Sequence, residues 1–152
     1  MKKKIGILTE HNSINYGSVL QTNALFNILS EKHEVYILNY RLLKNQIKEF
    51  KDFFLKFNLK KIINAKNLYT KIKDFNLKIK YEPKKILYSN NNLEDYYFDK
   101  IVVGSDEMWN FNNPYRGKDL TFFGKKWNCE EKISYATSFG STENLGELKE
   151  KV

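Results

Sequence analysis

The fold is decided by one stretch of the sequence, Phe98-Asp99-Lys100-Ile101-Val102-Val103-Gly104-Ser105-Asp106-Glu107-Met108-Trp109-Asn110. The apolar run at 101–103 is typical of a buried strand, and we expect that strand to stop at Gly104. Ser105 and Asp106 then bring backbone N–H groups and a carboxylate to the carboxyl edge of a sheet, where open α/β sheets bind ligands. The alternative is an ordinary strand-to-helix turn capped by Ser105 or Asp106. Capping alone does not explain Trp109, so the stretch predicts a ligand site.

The chain before this stretch predicts a strand–helix–strand unit. Residues 3–9 and 35–40 contain short apolar runs typical of buried strands, and apolar residues recur at helical spacing over residues 18–32. This order implies two parallel strands joined by a right-handed crossover. Residues 132–137 alternate and predict one more strand. We therefore expect an α/β fold, with a Rossmann-like, mostly parallel sheet flanked by helices.

The connecting segments carry less regular patterns. Apolar residues on one face predict two basic amphipathic helices within residues 44–80, which we interpret as a helical insertion spanning 41–85. Pro83 ends this region, and a short helix is predicted at 93–97. Residues 120–124 are typical either of a brief strand or of an aromatic flap, and a polar helix is predicted from 143. We expect residues 1–152 to form a single lobe, with a second lobe absent. The chain ends inside that helix, which is typical of a truncated sequence.

Composition narrows the class of protein. The chain has 152 residues, of which 41% are hydrophobic and 15% aromatic, enough for one folded domain with a core. Its single cysteine excludes a disulfide within the chain, and no apolar stretch has the length of a signal peptide or a membrane span. These features predict a cytoplasmic protein. Two histidines and one cysteine lack zinc-ligand spacing, so no metal site is expected.

The net charge of +8 is concentrated in residues 41–85. This segment holds 14 Lys or Arg and 4 Asp or Glu, a net charge of +10, which leaves −2 for the rest of the chain. We interpret the excess as solvated faces of lysine-rich helices. Peripheral contact with the inner face of a membrane, or with an acceptor lipid, is the alternative. No nucleic-acid partner is expected, and the sequence does not indicate an oligomeric state.

Three polar loops meet at one edge if the strands near residues 5, 101 and 133 are parallel in one sheet. The loops cover residues 11–18, 104–109 and 138–142, and two of them precede predicted helices whose N-termini suit an anion or a hydroxyl-rich ligand. Each loop residue also has a simpler interpretation, as a turn, surface or core residue. The expected polar groups and aromatic stacking walls are Asn15, Gln21, Ser105, Asp106 and Ser138, with Tyr16, Trp109 and Phe139.

Four segments resemble the polysaccharide pyruvyl transferase family in their residues, order and spacing. They are Lys4-Ile5-Gly6-Ile7-Leu8-Thr9, Asn15-Tyr16-Gly17-Ser18-Val19-Leu20-Gln21, Gly104-Ser105-Asp106-Glu107-Met108-Trp109-Asn110 and Ile133-Ser134-Tyr135-Ala136-Thr137-Ser138-Phe139-Gly140. The resemblance spans nearly the whole chain and only the amino-terminal half of the family. Glu107 and Met108 depart from the usual Gln-Val after Gly-Ser-Asp.

This resemblance implies the acceptor-side lobe of a GT-B-like transferase with two Rossmann-type lobes. Such enzymes move a pyruvyl group from phosphoenolpyruvate, a co-substrate, to two hydroxyls of a glycan or lipid-linked sugar, forming a ketal and releasing phosphate. We expect Asp106 to contact or deprotonate the acceptor hydroxyl and His11 to be a second candidate, for proton transfer. The expected substrate contacts are Asn15, Tyr16, Gly17, Ser18, Gln21, Gly104, Ser105, Trp109, Ser138 and Phe139.

In that family the cations that bind the donor belong mainly to the second lobe. This chain is therefore expected to be inactive alone, with no cofactor of its own. The alternative is a non-catalytic, Rossmann-like module that binds a nucleotide or a glycan.

Overall fold

The computed structural model describes residues 1–11, 16–42, 79–88, 91–113 and 119–144. Five strands and one α-helix form its framework. Two 3₁₀ helices of a single turn, at Leu93–Asp95 and Leu120–Phe123, precede β4 and β5. In chain order, the larger elements are β1 (Lys4–Leu8), α1 (Tyr16–Ser30), β2 (Glu34–Tyr40), β3 (Tyr81–Leu87), β4 (Tyr97–Asp106) and β5 (Asn128–Thr137).

All five strands are parallel and lie in the order β3-β2-β1-β4-β5. Strands β2 and β3 therefore lie on one side of β1, and strands β4 and β5 lie on the other side. The strand order reverses between β1 and β4, whose register pairs Ile7 with Val102 and Leu8 with Val103. In open parallel sheets, ligands bind beyond the carboxyl ends of the strands at this switch point. The α/β class and the parallel sheet predicted from the sequence are confirmed.

The strands are buried on both faces near the middle of the sheet, which explains their continuous apolar runs. On one face, Leu25 and Phe26 of α1 pack against a cluster that includes Ile7 and Ile37. On the other face, a second cluster contains Phe122 and residues of β1, β2 and β4. Because α1 runs back over the sheet after β1, its N-terminus lies at the carboxyl edge of the strands.

Several predicted boundaries are wrong. β4 does not stop at Gly104 but pairs with β5 as far as Asp106 and Thr137. The described residues after it, 107–113, form turns, so the alternative of a strand-to-helix turn capped by Ser105 or Asp106 is wrong. Residues 81–87 form a strand that the sequence analysis missed, and residues 120–123 form a 3₁₀ helix where a strand or flap was expected. The short helix predicted at 93–97 is one 3₁₀ turn, because β4 already begins at Tyr97.

Some predictions lie outside the described residues. They include the two basic helices within 44–80 and most of the polar helix from 143. No helix in the described part of the chain combines the length and the apolar character needed to cross a membrane.

Candidate functional site

Asp106, the last residue of β4, lies where the three polar loops meet. The Ser18 hydroxyl at the start of α1 donates to Oδ2 of Asp106 at 3.2 Å. From the third loop, the backbone N–H of Ser138 donates to the Asp106 carbonyl at 3.1 Å. The N–H of Glu107 donates to the other carboxylate oxygen at 2.7 Å. The loops are therefore in direct contact at Asp106, whose side chain is partly exposed.

The backbone around Asp106 adopts conformations that few residues tolerate. Gly104 has a φ of +127°, and a Cβ built there would lie 2.0 Å from the carbonyl oxygen of Tyr135 on β5. Asp106 has a φ of +103°, in a region that costs a non-glycine residue of the order of 1–3 kcal/mol. The peptide bond between Gly104 and Ser105 is cis. Gly104 therefore lets β4 and β5 stay paired as far as Asp106, whose side chain is partly exposed at the end of the ladder.

Four aromatic rings, which we call the aromatic stack, border Asp106 on the β5 side. Phe123 lies between Trp109 and Phe111, with centroid distances of 5.1 and 5.3 Å and interplanar angles of 10° in both pairs. Phe139 leans on Trp109 at 5.4 Å and 50°. The indole N–H of Trp109 donates to the Phe122 carbonyl at 3.0 Å. Trp109 is thus held within the stack, and Phe139, which is 36% exposed, presents the most open ring.

Hydrogen bonds lock the turn after β4 to the third loop. The N–H of Trp109 donates to the Ser138 carbonyl at 3.1 Å, and the Asn110 amide accepts from the Thr142 hydroxyl at 3.0 Å. The same amide donates to the Glu107 carboxylate at 2.8 Å. These contacts hold the aromatic stack at a fixed position beside Asp106.

His11 is buried at a different place on the same edge. Its side chain is 3% exposed; Nδ1 donates to the Thr9 carbonyl at 3.1 Å, and Nε2 lies 3.3 Å from Oδ1 of Asn39 on β2. Burial is the main cause that lowers the pKa of His11 below 6.5, so the imidazole is neutral at pH 7. Nδ1 bonds to the Thr9 carbonyl and Nε2 lies beside the Asn39 amide, and neither contact runs to Asp106. A proton-transfer role for His11 stays a prediction that these contacts do not support.

The structure places three of the other predicted site residues, and two lie wholly or partly outside the described residues. Ser105 is buried, and its carbonyl accepts from the Thr9 hydroxyl at 3.4 Å, which links the ends of β1 and β4. Gly17 and Gln21 lie on the exposed side of α1. Asn15 lies outside the described residues, as does the side chain of Tyr16.

The sequence analysis missed two members of the aromatic stack, Phe111 and Phe123. Phe111 lies in a turn and Phe123 ends a single 3₁₀ turn, and neither segment is long enough for a periodicity that indicates which side a ring occupies. Their one sequence signal is the high density of aromatic residues between 109 and 123.

Within the described ranges, no group of three or more His, Cys, Asp or Glu is placed to hold a metal ion. The chemistry that this edge offers comes from a carboxylate, hydroxyls and aromatic faces. Comparison with protein-family models, with curated protein sequences and with solved structures gives no match. The functional argument therefore depends on the geometry around Asp106.

Proposed function

We propose that this chain is the acceptor-side lobe of a polysaccharide pyruvyl transferase. The observation that carries this proposal is the meeting of the three loops at Asp106, with the Ser18 hydroxyl donating to its carboxylate. All four segments that resemble the family contribute to the switch point or to the loops around it. In this proposal the five-stranded sheet corresponds to the N-terminal lobe of a GT-B-like enzyme.

Asp106 and Phe139 have the chemistry needed to hold a sugar. A carboxylate accepts hydrogen bonds from hydroxyl groups, and an exposed aromatic ring packs against the C–H face of a pyranose. Ser18 and the N–H of Glu107 orient the Asp106 carboxylate, so its position does not depend on the ligand. Asp106 then contacts the acceptor hydroxyl and takes its proton as that oxygen attacks the pyruvyl carbon, while an acid of the donor-binding lobe protonates the methylene carbon. Phosphate leaves when a second sugar hydroxyl attacks the same carbon and closes the ketal. Phosphoenolpyruvate is the co-substrate, and the resemblance assigns most of its binding groups to a second lobe.

Acceptor binding tests this lobe directly. Saturation-transfer NMR with pyranose oligosaccharides should show contact between sugar protons and the aromatic stack. We expect Asp106→Asn to weaken this binding because an amide cannot accept at both of its terminal atoms. Glu143→Gln, which removes an exposed carboxylate beyond the third loop, is the matched control. Equal binding by all three proteins would refute a role for Asp106 in acceptor recognition.

The catalytic part of the proposal has its own test. Phosphate release from phosphoenolpyruvate should require a pyranose acceptor and a partner that supplies the donor site. Release that is independent of Asp106 in such a reconstituted system would overturn the proposed chemistry.

The strand order also supports a second candidate, a non-catalytic Rossmann-like module. The order β3-β2-β1-β4-β5 and the helix that follows β1 are the framework on which many dinucleotide sites are built. Such a module would bind a nucleotide or glycan with no phosphate release under any combination of donor and acceptor.

A cytoplasmic location fits the pyruvyl transferase proposal because phosphoenolpyruvate is a metabolite of that compartment. Lipid-linked sugars would be met at the inner face of the membrane, where the basic segment 41–85 would favour an anionic surface. Vesicles containing anionic lipid should bind the chain in a salt-sensitive way, and neutral vesicles should not.

A further inference from the structure

A cavity of about 410 Å³ opens at the amino ends of the strands, at the edge of the sheet opposite to Asp106. Its lining comes from the C-terminal part of α1 and from residues at or just before the starts of β1, β2 and β3. The five residues of β1 span about 16 Å between the two edges. The cavity is therefore separate from the proposed acceptor site, and its volume is typical of a site for a small molecule.

Two apolar side chains form the floor of this cavity. Phe26 of α1 and Val35 of β2 line it, and each keeps a small exposed fraction, 5% and 3%. Both also belong to the hydrophobic cluster that packs α1 against the sheet. The floor is thus part of the packed core, so its shape does not depend on a ligand.

The rim of the cavity carries more positive than negative charge. Lys2 and Lys80 are exposed and line it from the starts of β1 and β3. Among the described residues of the lining, Glu34 is the single acid, and its carboxylate accepts from the Tyr36 hydroxyl at 2.6 Å. The two ammonium groups therefore outweigh the carboxylate, and the rim favours an anion.

Hydrogen-bonding groups at the end of α1 complete the rim. Ser30 supplies a hydroxyl, and the backbone N–H of Lys3 donates to Nδ1 of His33 at 3.5 Å, so in the neutral ring the proton lies on Nε2 and can be donated. The C-terminus of a helix disfavours an anion. Here the Leu29 carbonyl already accepts from the backbone N–H groups of Lys32 and His33, at 3.3 and 3.0 Å, which reduces that effect.

We propose that this cavity is a second ligand site, which binds a small organic oxyanion. The charged head would contact Lys2 and Lys80, since an ammonium group binds phosphate or carboxylate oxygens as a compact point charge. The apolar body would cover the exposed parts of Phe26 and Val35, which favours an organic anion over an inorganic one. Binding at this edge does not depend on the pyruvyl transferase proposal.

Titration with phenyl phosphate, followed by ³¹P NMR, tests the site. We expect saturable binding that is tighter than the binding of inorganic phosphate, which lacks the apolar body. Lys2→Gln and Lys80→Gln should each weaken it about two- to fivefold, the range for a contact between exposed charges. Lys85→Gln, which removes an exposed charge farther along β3, is the matched control and should bind as the native chain does.

Ser30→Phe tests the cavity separately from its charge. The larger side chain would occupy the space beside α1 and leave both lysines in place, so we expect phenyl phosphate binding to be lost. Circular dichroism checks that the variant folds, and if it does not, the comparison of the lysine variants decides. Parallel titration with benzoate shows whether the site prefers a carboxylate or a phosphate head.

Three results would overturn the inference. They are the absence of saturable phenyl phosphate binding, equal weakening in Lys85→Gln and the two rim variants, and undiminished binding by a folded Ser30→Phe. Asp106→Asn should leave this binding unchanged because Asp106 lies at the opposite edge of the sheet. Phenyl phosphate binding in a chain that never supports phosphate release would leave this inference standing and refute the pyruvyl transferase proposal.

Discussion

Replacing Gly104 by alanine should destabilise the junction of β4 and β5 and should lower the stability of the chain more than the same replacement at Gly124. A Cβ at this position would lie 2.0 Å from the Tyr135 carbonyl oxygen and 2.6 Å from the Thr137 hydroxyl, which donates to the Val103 carbonyl. The Tyr135 carbonyl cannot move without separating the two strands, and the Thr137 hydroxyl can rotate away only by losing its hydrogen bond to the Val103 carbonyl. We expect Gly104→Ala to lower the free energy of unfolding by about 4 kcal/mol, with about 1–3 kcal/mol from the positive φ and about 1–3 kcal/mol from the collision.

Gly124→Ala is the matched control for this substitution. Gly124 also has a positive φ, +79°, but the three atoms nearest to its Cβ would all belong to the Lys132 side chain, with Cδ the nearest at 2.9 Å. That side chain is flexible and can move aside, so the expected loss is about 1–2 kcal/mol from the backbone alone. Urea unfolding followed by circular dichroism measures both variants against the native chain. Equal destabilisation by the two alanines would refute the inference that β5 confines Gly104.

Three further variants test single contacts. Ser18→Ala removes the donor to Asp106 and should lower the free energy of unfolding by about 1 kcal/mol, with weaker sugar binding by saturation-transfer NMR. Burial, and then the hydrogen bond that the Tyr40 hydroxyl donates to Asp119, raise the pKa of Tyr40. Its contribution to the free energy of unfolding is therefore complete below about pH 10 and is lost as the pH rises towards the folded-state pKa. In Tyr40→Phe, the free energy of unfolding measured in urea should fall less at alkaline pH. Burial lowers the pKa of His11. The contribution of the neutral imidazole to the free energy of unfolding is therefore complete above about pH 6.5 and is lost as the pH falls through the folded-state pKa. His11→Gln should flatten that acid loss, and an unchanged pH dependence in either variant would contradict the assigned burial.

The central part of the fold could be predicted because its pattern is unambiguous. The runs that form β1 and β2 are short, apolar and separated by one amphipathic helix, and few arrangements other than a parallel βαβ unit satisfy this order. The end of β4 could not be predicted in the same way. Glycine usually marks the end of a strand, but Gly104 remains in the ladder opposite Tyr135 because its φ of +127° is open to glycine.

β3 was missed because its composition is typical of a strand at the edge of a sheet. Pro83 cannot donate to a ladder, and Lys84 and Lys85 reduce the apolar signal. Edge strands tolerate proline and often carry lysine, which opposes pairing with another chain. Such a strand is recognised from its neighbours in space, and β2 supplies that neighbour here.

The arrangement of the loops around Asp106 could also be predicted only in part. The sequence predicted that three loops share one edge, because parallel strands place their carboxyl ends together. It could not predict that Trp109 would be held by Phe123 and by the Phe122 carbonyl, since those partners belong to a single 3₁₀ turn, which is too short to show a periodicity. Of the stacking walls expected from the sequence, Phe139 is therefore the open ring, and Trp109 is packed within the aromatic stack.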